Sequence, residues 1–185
     1  MRACGPGESA LLLLDVVDVL SARKVRYAVI GALAASIYGV VRASMDADLL
    51  LAAGVQDARS IEAALVAAGF HTELRRGDLS DPIPALLEVV DSFGNRVDLL
   101  LGLRGIEPQA FARARDVPFQ GSVLKFVGLE DFVAMKAFAG GPVDLQDARR
   151  AVAAAGGSLD RELVRRLAGR YGPDAVKALE QLLAG

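Results

Sequence analysis

Three aspartates have the residue type and the surroundings expected of metal ligands. Asp46 and Asp48 open an apolar run, and their i, i+2 spacing places both carboxylates on one face of a β-strand. Asp98 lies within a second apolar run, residues 96–101. A carboxylate among apolar neighbours is costly unless it is paired or bound to a cation. Because all three carboxylates share this cost, we expect them to share a divalent ion, and the same arrangement would hold two metals.

A glycine turn precedes these aspartates in the chain. Residues 25–30 are apolar and rich in β-branched side chains, so they predict a strand, which ends at Gly31. The alanine-rich residues 32–38 then predict a short helix. Free backbone N–H groups converge where such a turn enters a helix, and they bind phosphate. Metal-binding carboxylates beside a phosphate-binding turn predict metal-assisted chemistry on a nucleotide.

Composition narrows the chemistry further. The 185 residues include one cysteine, Cys4, and one histidine, His71, which excludes disulfide frameworks, cysteine-rich zinc sites and multi-histidine sites. A metal site built from carboxylates favours Mg²⁺ or Mn²⁺. The net charge of −2 and the 5% aromatic content argue against non-specific nucleic-acid binding and base stacking. No apolar run is long enough to span a bilayer, so we expect a cytoplasmic protein without a membrane partner.

The pattern of elements predicts an α+β fold in two parts. Residues 1–127 predict a core domain with a small mixed sheet and flanking helices. Residues 128–185 predict a C-terminal helical subdomain that carries Lys136 and Asp144. The boundary near residue 128 is soft, because this second part is too small for a large core of its own.

Four finer expectations concern local structure. Residues 1–8 contain glycine and proline without periodicity and predict a loose leader. Ser9 is the expected N-cap of the first helix, and Ser158 that of the third helix of the tail. Residues 117–127 predict one strand with a bend or turn at Gly121.

The ordered set of motifs resembles a known superfamily. Residues 31–32 (Gly-Ala), residues 42–48 (RASMDAD) and Asp98 are similar to the glycine turn, D-x-D strand and third acidic strand of nucleotidyltransferases of the DNA polymerase β type. The resemblance implies that Asp46 and Asp48 bind Mg²⁺ (or Mn²⁺). It further implies that Asp98 completes the metal site and helps to deprotonate the attacking hydroxyl.

The tail resembles one branch of that superfamily. Residues 130–136 and 143–147 are similar to the lysine helix and the K/R-D-L-x-D segment of the AbiEii-like branch, which includes minimal nucleotidyltransferases and toxins of toxin–antitoxin systems. The resemblance implies that Lys136 neutralises phosphate charge in catalysis and that Asp144 positions this lysine or lines the site. Asp147 is a weaker candidate for the same role. In all, the resemblance covers about residues 25–150.

Nucleotide binding is assigned to a set of residues around the turn and the lysine helix: Gly31, Ala32, Arg42, Ser44, Lys136 and Asp144. Gly31 lets the backbone approach the triphosphate. A salt bridge to an acidic neighbour is the alternative for Arg42, and a role in capping or turning the loop is the alternative for Ser44.

The reaction implied is transfer of an NMP from an NTP to an acceptor hydroxyl of RNA, a protein or a small molecule, with Mg²⁺ as cofactor. The branch adds a toxin role, with tRNA or protein as acceptor and an antitoxin as partner. The alternative is a catalytically weak or inactive nucleotide-binding or antitoxin-like protein. Two departures from the family pattern motivate this alternative, Ala32 in the turn and Val143 before Asp144. A third hypothesis is a small-molecule modifier of the aminoglycoside-adenylating kind.

Overall fold

A seven-stranded mixed sheet is the centre of the fold. The computed structural model of the protein describes residues 1–40, 46–78 and 80–184. Within these residues the strands are β1 (Tyr27–Ile30), β2 (Asp46–Leu51), β3 (His71–Arg76), β4 (Ala85–Val90), β5 (Arg96–Leu101), β6 (Arg115–Phe119) and β7 (Ser122–Phe126). Their order in the sheet is β3-β4-β5-β2-β1-β7-β6. The pairs β1–β7 and β2–β5 are parallel, and the other neighbouring strands are antiparallel.

Helices flank the sheet and then follow it. In the described ranges the α-helices are α1 (Ser9–Ala22), α2 (Gly31–Ile37), α3 (Ala58–Ala67), α4 (Leu129–Ala139), α5 (Pro142–Ala155), α6 (Arg161–Tyr171) and α7 (Pro173–Ala184). This mixture of helices and a mixed sheet confirms the predicted α+β class. None of these helices combines the length and the apolar character needed to cross a bilayer.

Alternation along the central strands decides which side chains face the site. Ala47 and Leu49 of β2 and Val97 and Leu99 of β5 are buried on one face of the sheet, where α1 packs against both strands. Successive side chains of a strand point to opposite faces. The aspartates between these apolar residues therefore lie on the other face, so the packing of α1 orients the carboxylates.

The four helices after the sheet pack on one another, because α4 contacts α5, α6 and α7. A set of ion pairs also ties α4 and α6 to the segment between β5 and β6; we call it the Arg113 network, formed by Glu107, Arg113, Asp131 and Arg166. Asp131 and Glu107 are buried, with side chains 1% and 8% exposed. The division into two domains near residue 128 stays a prediction.

The expectation of a loose leader is wrong. Residues 1–8 have no helix or strand, yet they are anchored to the first helix. Arg2 Nη1 lies 2.7 Å from Asp15 Oδ1 and 2.7 Å from Asp18 Oδ2, and Ala3 is buried. Two carboxylates three residues apart on one helix face form a binding site for a single arginine, which the composition of the leader alone did not reveal.

Both predicted serine caps are wrong. Ser9 lies inside α1, and the N-cap position belongs to Glu8. Ser158 lies in a short 3₁₀ turn, and Asp160 caps α6 by accepting two backbone N–H groups of its first turn at 3.1 and 2.9 Å. Aspartate and serine are similarly strong caps. The 3₁₀ turn after α5 includes Ser158, so the helix starts later and Asp160 occupies the cap position.

The single strand predicted for residues 117–127 is a hairpin. Strands β6 and β7 pair antiparallel, and Phe119 pairs with Ser122 across the turn. The two turn residues, Gln120 and Gly121, have φ of +48° and +75°. Positive φ at both positions matches the twist of the flanking strands. The turn at Gly121 is therefore confirmed, whereas the continuity of the strand is not.

Candidate active site

The pairing of β2 with β5 brings two of the aspartates together. These strands run parallel, with Asp48 opposite Asp98 and Asp46 opposite Arg96. Neighbouring strands lie about 4.8 Å apart, and residues in register point to the same face. Asp48 and Asp98 are therefore neighbours on the face away from α1, and Asp46 lies one pleat further along the same face.

Gly31 lies against Asp48 at the end of β1. Ile30 pairs with Asp48 across the antiparallel β1–β2 ladder, so the next residue reaches the carboxylate. The φ of Gly31 is +65°, and a Cβ atom there would lie 2.8 Å from Asp48 Cγ and would overlap Oδ2. Glycine is thus required twice, for its backbone conformation and for the close approach of Asp48. Ala32 follows as a buried residue of α2.

A cavity of about 260 Å³ lies between this face of the sheet and α4. Four of the predicted site residues line it together: Gly31, Asp48, Lys136 and Asp144. The rest of the lining is apolar: Ile30, Leu100, Val127, Phe132, Met135 and Ala139. A mostly apolar cavity with a few convergent polar groups is the usual form of a small-molecule site.

Lys136 is held at the edge of this cavity by two carboxylates. Its Nζ lies 2.6 Å from Asp144 Oδ1 and 3.2 Å from Asp147 Oδ2, and its side chain is 11% exposed. The ammonium also lies 5.7 Å from the centroid of the Phe132 ring. Asp144 thus makes the contact expected of a residue that positions the lysine, and Asp147 shares this contact. Because Lys136 is charged and faces a cavity, it is suited to bind an anionic ligand.

Asp98 is a carboxylate suited to accept a proton. Its side chain is 19% exposed, and burial raises its pKa, an effect that Arg96 partly opposes. Its Oδ1 is buried without a hydrogen-bond partner. A carboxylate with a raised pKa is a stronger base, and a base acts best when its pKa approaches the working pH.

Sequence reasoning missed Arg96, which contacts two of the predicted metal ligands, and Glu88, which contacts Arg96. Arg96 Nη2 lies 2.6 Å from Asp46 Oδ2, and its Nη1 lies 3.3 Å from Glu88 Oε2. Its Nε lies 3.9 Å from Asp98 Oδ1. We call Asp46, Glu88, Arg96 and Asp98 the Arg96 network. The i−2 position of Arg96 relative to Asp98 on one strand could have revealed that the two share a face; the contact with Asp46 depends on strand pairing.

The donor atoms of this site suit a divalent cation, but the spacing of the carboxylates and the contact of Arg96 with Asp46 oppose its binding. Carboxylate oxygens are the ligands that Mg²⁺ and Mn²⁺ prefer, and the buried Oδ1 of Asp98 lacks a partner. Among the residues described, however, no three acidic, histidine or cysteine side chains are gathered closely enough to hold a metal ion. Arg96 holds Asp46, so a shared ion requires the arginine to move. Convergence of the three aspartates on one metal stays a prediction.

Two residues assigned to nucleotide binding from the sequence, Arg42 and Ser44, lie outside the described residues.

The fold is that of nucleotidyltransferases. At the site, a glycine turn follows β1, the strands β2 and β5 carry in-register carboxylates, and the helix with the lysine lies beside them. The overall fold is similar to that of the antibiotic-resistance factor ANT(2'')-Ia in solution, with a TM-score of 0.59 and 16% identity over 94% of this chain and 93% of that one.

Two further solved structures are similar. ANT(2'')-Ia in complex with adenylyl-2''-tobramycin has a TM-score of 0.58 and 17% identity, over 87% of this chain and 97% of that chain. An antigenic nucleotidyltransferase-like protein from Paracoccidioides brasiliensis has a TM-score of 0.51 and 16% identity over 89% of each chain. No family model matches the sequence, and neither does any curated protein. At these identities the likeness establishes the fold.

Proposed function

We propose that this protein is a Mg²⁺-dependent nucleotidyltransferase that moves an NMP from an NTP to an acceptor hydroxyl. The observation that carries the proposal is the shared cavity, in which Gly31, Asp48 and Lys136 meet with Asp98 in register beside Asp48. A structural role alone does not require a glycine turn, a strand carboxylate and a lysine to converge on one cavity. The nucleotidyltransferase fold supports the same conclusion.

The residues have distinct tasks in this proposal. Asp46, Asp48 and Asp98 would hold the divalent cation, which neutralises phosphate charge and favours loss of the hydroxyl proton. The acceptor oxygen forms a bond to the α-phosphorus of the NTP as the bond to the β-phosphate oxygen breaks and pyrophosphate leaves. The family resemblance implies that Asp98 takes the hydroxyl proton as general base. Lys136 offsets the negative charge of the phosphates from the side of α4.

Binding and metal dependence are tested by calorimetric titration of each NTP with and without Mg²⁺. The wild type is expected to bind at least one NTP in a Mg²⁺-dependent way, and Asp46→Ala is expected to lose that dependence. Asp98→Asn is expected to retain NTP binding and to lower pyrophosphate release at least about 100-fold, the usual contribution of a general base. Absence of Mg²⁺-dependent NTP binding in the wild type would sink the proposal.

The acceptor is the second unknown, and the AbiEii-like resemblance of the tail favours a macromolecule. We propose tRNA or protein as acceptor, a toxin role and an antitoxin that binds this chain. Incubation with labelled NTPs followed by mass spectrometry of RNA and protein tests this assignment. Labelled RNA or protein, lost in Asp98→Asn, is the expected result. NTP binding without labelling of any acceptor supports the alternative, a nucleotide-binding partner protein without turnover.

A small-molecule acceptor is the second candidate function. It is favoured by similarity over nearly the whole chain to ANT(2'')-Ia, a structure of which contains adenylyl-2''-tobramycin. Incubation with ATP, Mg²⁺ and an aminoglycoside, followed by mass spectrometry of the aminoglycoside, tests it. An added adenylyl group would establish this acceptor, and an unmodified aminoglycoside beside labelled RNA or protein would reject it.

A further inference from the structure

Arg96 occupies the space between the predicted metal ligands. It is the first residue of β5, lies opposite Asp46 in the parallel ladder and shares a sheet face with Asp98 two residues later. Its Nη2 lies 2.6 Å from Asp46 Oδ2, its Nη1 3.3 Å from Glu88 Oε2 and its Nε 3.9 Å from Asp98 Oδ1. One guanidinium therefore contacts two of the three aspartates that a divalent cation would need.

This guanidinium is not in a position that satisfies all its donors. Its Nε and the Oδ1 of Asp98 are both buried, and neither has a hydrogen-bond partner. A buried donor or acceptor without a partner destabilises the folded state. The two atoms are 3.9 Å apart, slightly too far for a hydrogen bond. The short contact with Asp46 thus holds Arg96 away from a position that would pair both atoms.

Glu88 supplies the partner to which the arginine can move. It lies opposite Asp98 in the antiparallel β4–β5 ladder, on the same face, and its side chain is 15% exposed. It is not among the aspartates assigned to the metal. Its second cation, Arg75, is more distant, at 3.8 Å from Oε2. Glu88 can therefore keep Arg96 paired when Asp46 is taken away.

We propose that Arg96 is the resident counter-cation of the carboxylate site and that Glu88 receives it when a divalent cation binds. The inference rests on the proposed function. A guanidinium and a divalent cation compete for the same oxygen of Asp46, because like charges at contact distance repel. Release of Nη2 from Asp46 lets the fork pivot about its contact with Glu88 and brings Nε within reach of Asp98 Oδ1. Arg96 then positions Asp98, with its other oxygen available to the metal.

Binding of Mn²⁺ alone, measured by calorimetry without nucleotide, tests the exchange. Arg96→Met removes the competing cation and keeps an unbranched side chain, so Mn²⁺ is expected to bind about two- to fivefold more tightly, the range for one exposed ion pair. Glu88→Gln removes the alternative partner and leaves Arg96 on Asp46, so Mn²⁺ is expected to bind about two- to fivefold more weakly. Arg75→Met is the matched control, since Arg75 contacts Glu88 and acts on Asp98 only through its more distant charge; the affinity is expected to stay within about twofold.

The double variant Arg96→Met/Glu88→Gln separates exchange from simple charge attraction. If Glu88 acts through Arg96, Glu88→Gln has no effect in the Arg96→Met background; an equal loss in both backgrounds would overturn the inference. The inference also fails if Arg75→Met tightens binding as much as Arg96→Met. Should Arg96→Met not fold, Arg96→Gln, which also removes the charge, takes its place alone and in combination with Glu88→Gln. Wild-type binding that Arg96→Met leaves unchanged overturns this inference alone, whereas no Mn²⁺ binding by wild type or Arg96→Met overturns the proposed function as well.

Discussion

The Arg113 network and the Arg96 network are built from the same kinds of side chain, arginine and carboxylates. They differ in how many of their hydrogen-bond donors and acceptors have a partner. Arg113 donates through all three guanidinium nitrogens at 2.7 Å, twice to Asp131 and once to Glu107. Arg96 donates through two nitrogens, at 2.6 and 3.3 Å, and its Nε has no hydrogen-bond partner. One network is closed, and the other retains donors and acceptors for a further partner.

The titration of the carboxylates follows the same division. In the closed network, the hydrogen bond from Arg166, aided by Arg113, lowers the pKa of Glu107 to about 2. In the open network, burial raises the pKa of Asp98. A carboxylate that stays charged at almost any pH serves to join elements, whereas one with a raised pKa is able to exchange a proton or accept a cation. An arginine–carboxylate contact alone therefore does not identify a structural site. A network in which every donor and acceptor has a partner does.

Arg113→Met is expected to give the largest effect because it breaks the closed network. It leaves the buried carboxylates of Asp131 and Glu107 without their shared cation, and removal of one partner from a buried ion pair costs about 3–5 kcal/mol. Urea denaturation measures the change in the free energy of unfolding. Arg165→Met is the matched control; this arginine pairs with Glu180, and both side chains are about half exposed, so a much smaller loss is expected. Equal losses in the two variants would contradict the comparison.

Lys136→Met tests whether the cavity beside the sheet binds nucleotide. Lys136 is the cation of α4 that faces the cavity, so its loss is expected to weaken NTP binding about tenfold, the value of one charge-assisted contact to phosphate of about 1.5 kcal/mol. Calorimetric titration with NTP and Mg²⁺ measures the affinity. Lys125→Met provides the control, since Lys125 pairs with Asp116 at the surface and does not line the cavity. Unchanged NTP affinity in Lys136→Met would show that the lysine serves only to pair Asp144 and Asp147.

These two regions also differ in how far the sequence predicted them. The alternation of Asp46 and Asp48 with apolar residues predicted a strand with its carboxylates on one face, because side-chain direction is a local property. The contact of Arg96 with Asp46 joins residues fifty positions apart; it depends on the register of two strands that no local pattern sets. The Arg113 network could not be predicted from the sequence for the same reason, since Glu107 and Arg166 are 59 positions apart.

The pH dependence of stability sharpens the comparison through Glu107. Its pKa is lowered from 4.5 to about 2 in the folded state, so its contribution to stability is complete above about pH 4.5 and is lost as the pH falls towards 2. The free energy of unfolding of the wild type is expected to decrease through this window. In Glu107→Gln the contribution is absent, so the gap between wild type and variant is expected to be widest at pH 7 and to narrow on acidification. Urea denaturation at pH 7, 4.5 and 2.5 is the measurement. A gap that is constant with pH would contradict the role given to Glu107.

Val143→Lys is expected to give the smallest effect, and it tests a departure from the family pattern. Val143 is the second residue of α5, is 53% exposed and precedes Asp144. A cation in the first helical turn opposes the helix dipole by about 0.3–1 kcal/mol, and the neighbouring Asp144 offsets part of that cost. We therefore expect the free energy of unfolding to change by less than about 0.5 kcal/mol, as for most surface substitutions.

The same substitution is expected to improve nucleotide binding slightly. A second cation beside the Lys136–Asp144 pair adds attraction for phosphate, and an exposed charge contributes about 0.2–1 kcal/mol. Calorimetry with NTP and Mg²⁺ should show an affinity about two- to threefold higher than that of wild type, and Val143→Gln, which adds polarity without charge, should show no gain. Weaker binding in Val143→Lys than in Val143→Gln would mean that the start of α5 does not face the triphosphate. The nucleotide-binding region would then be confined to the strands β2 and β5, which carry Asp48 and Asp98.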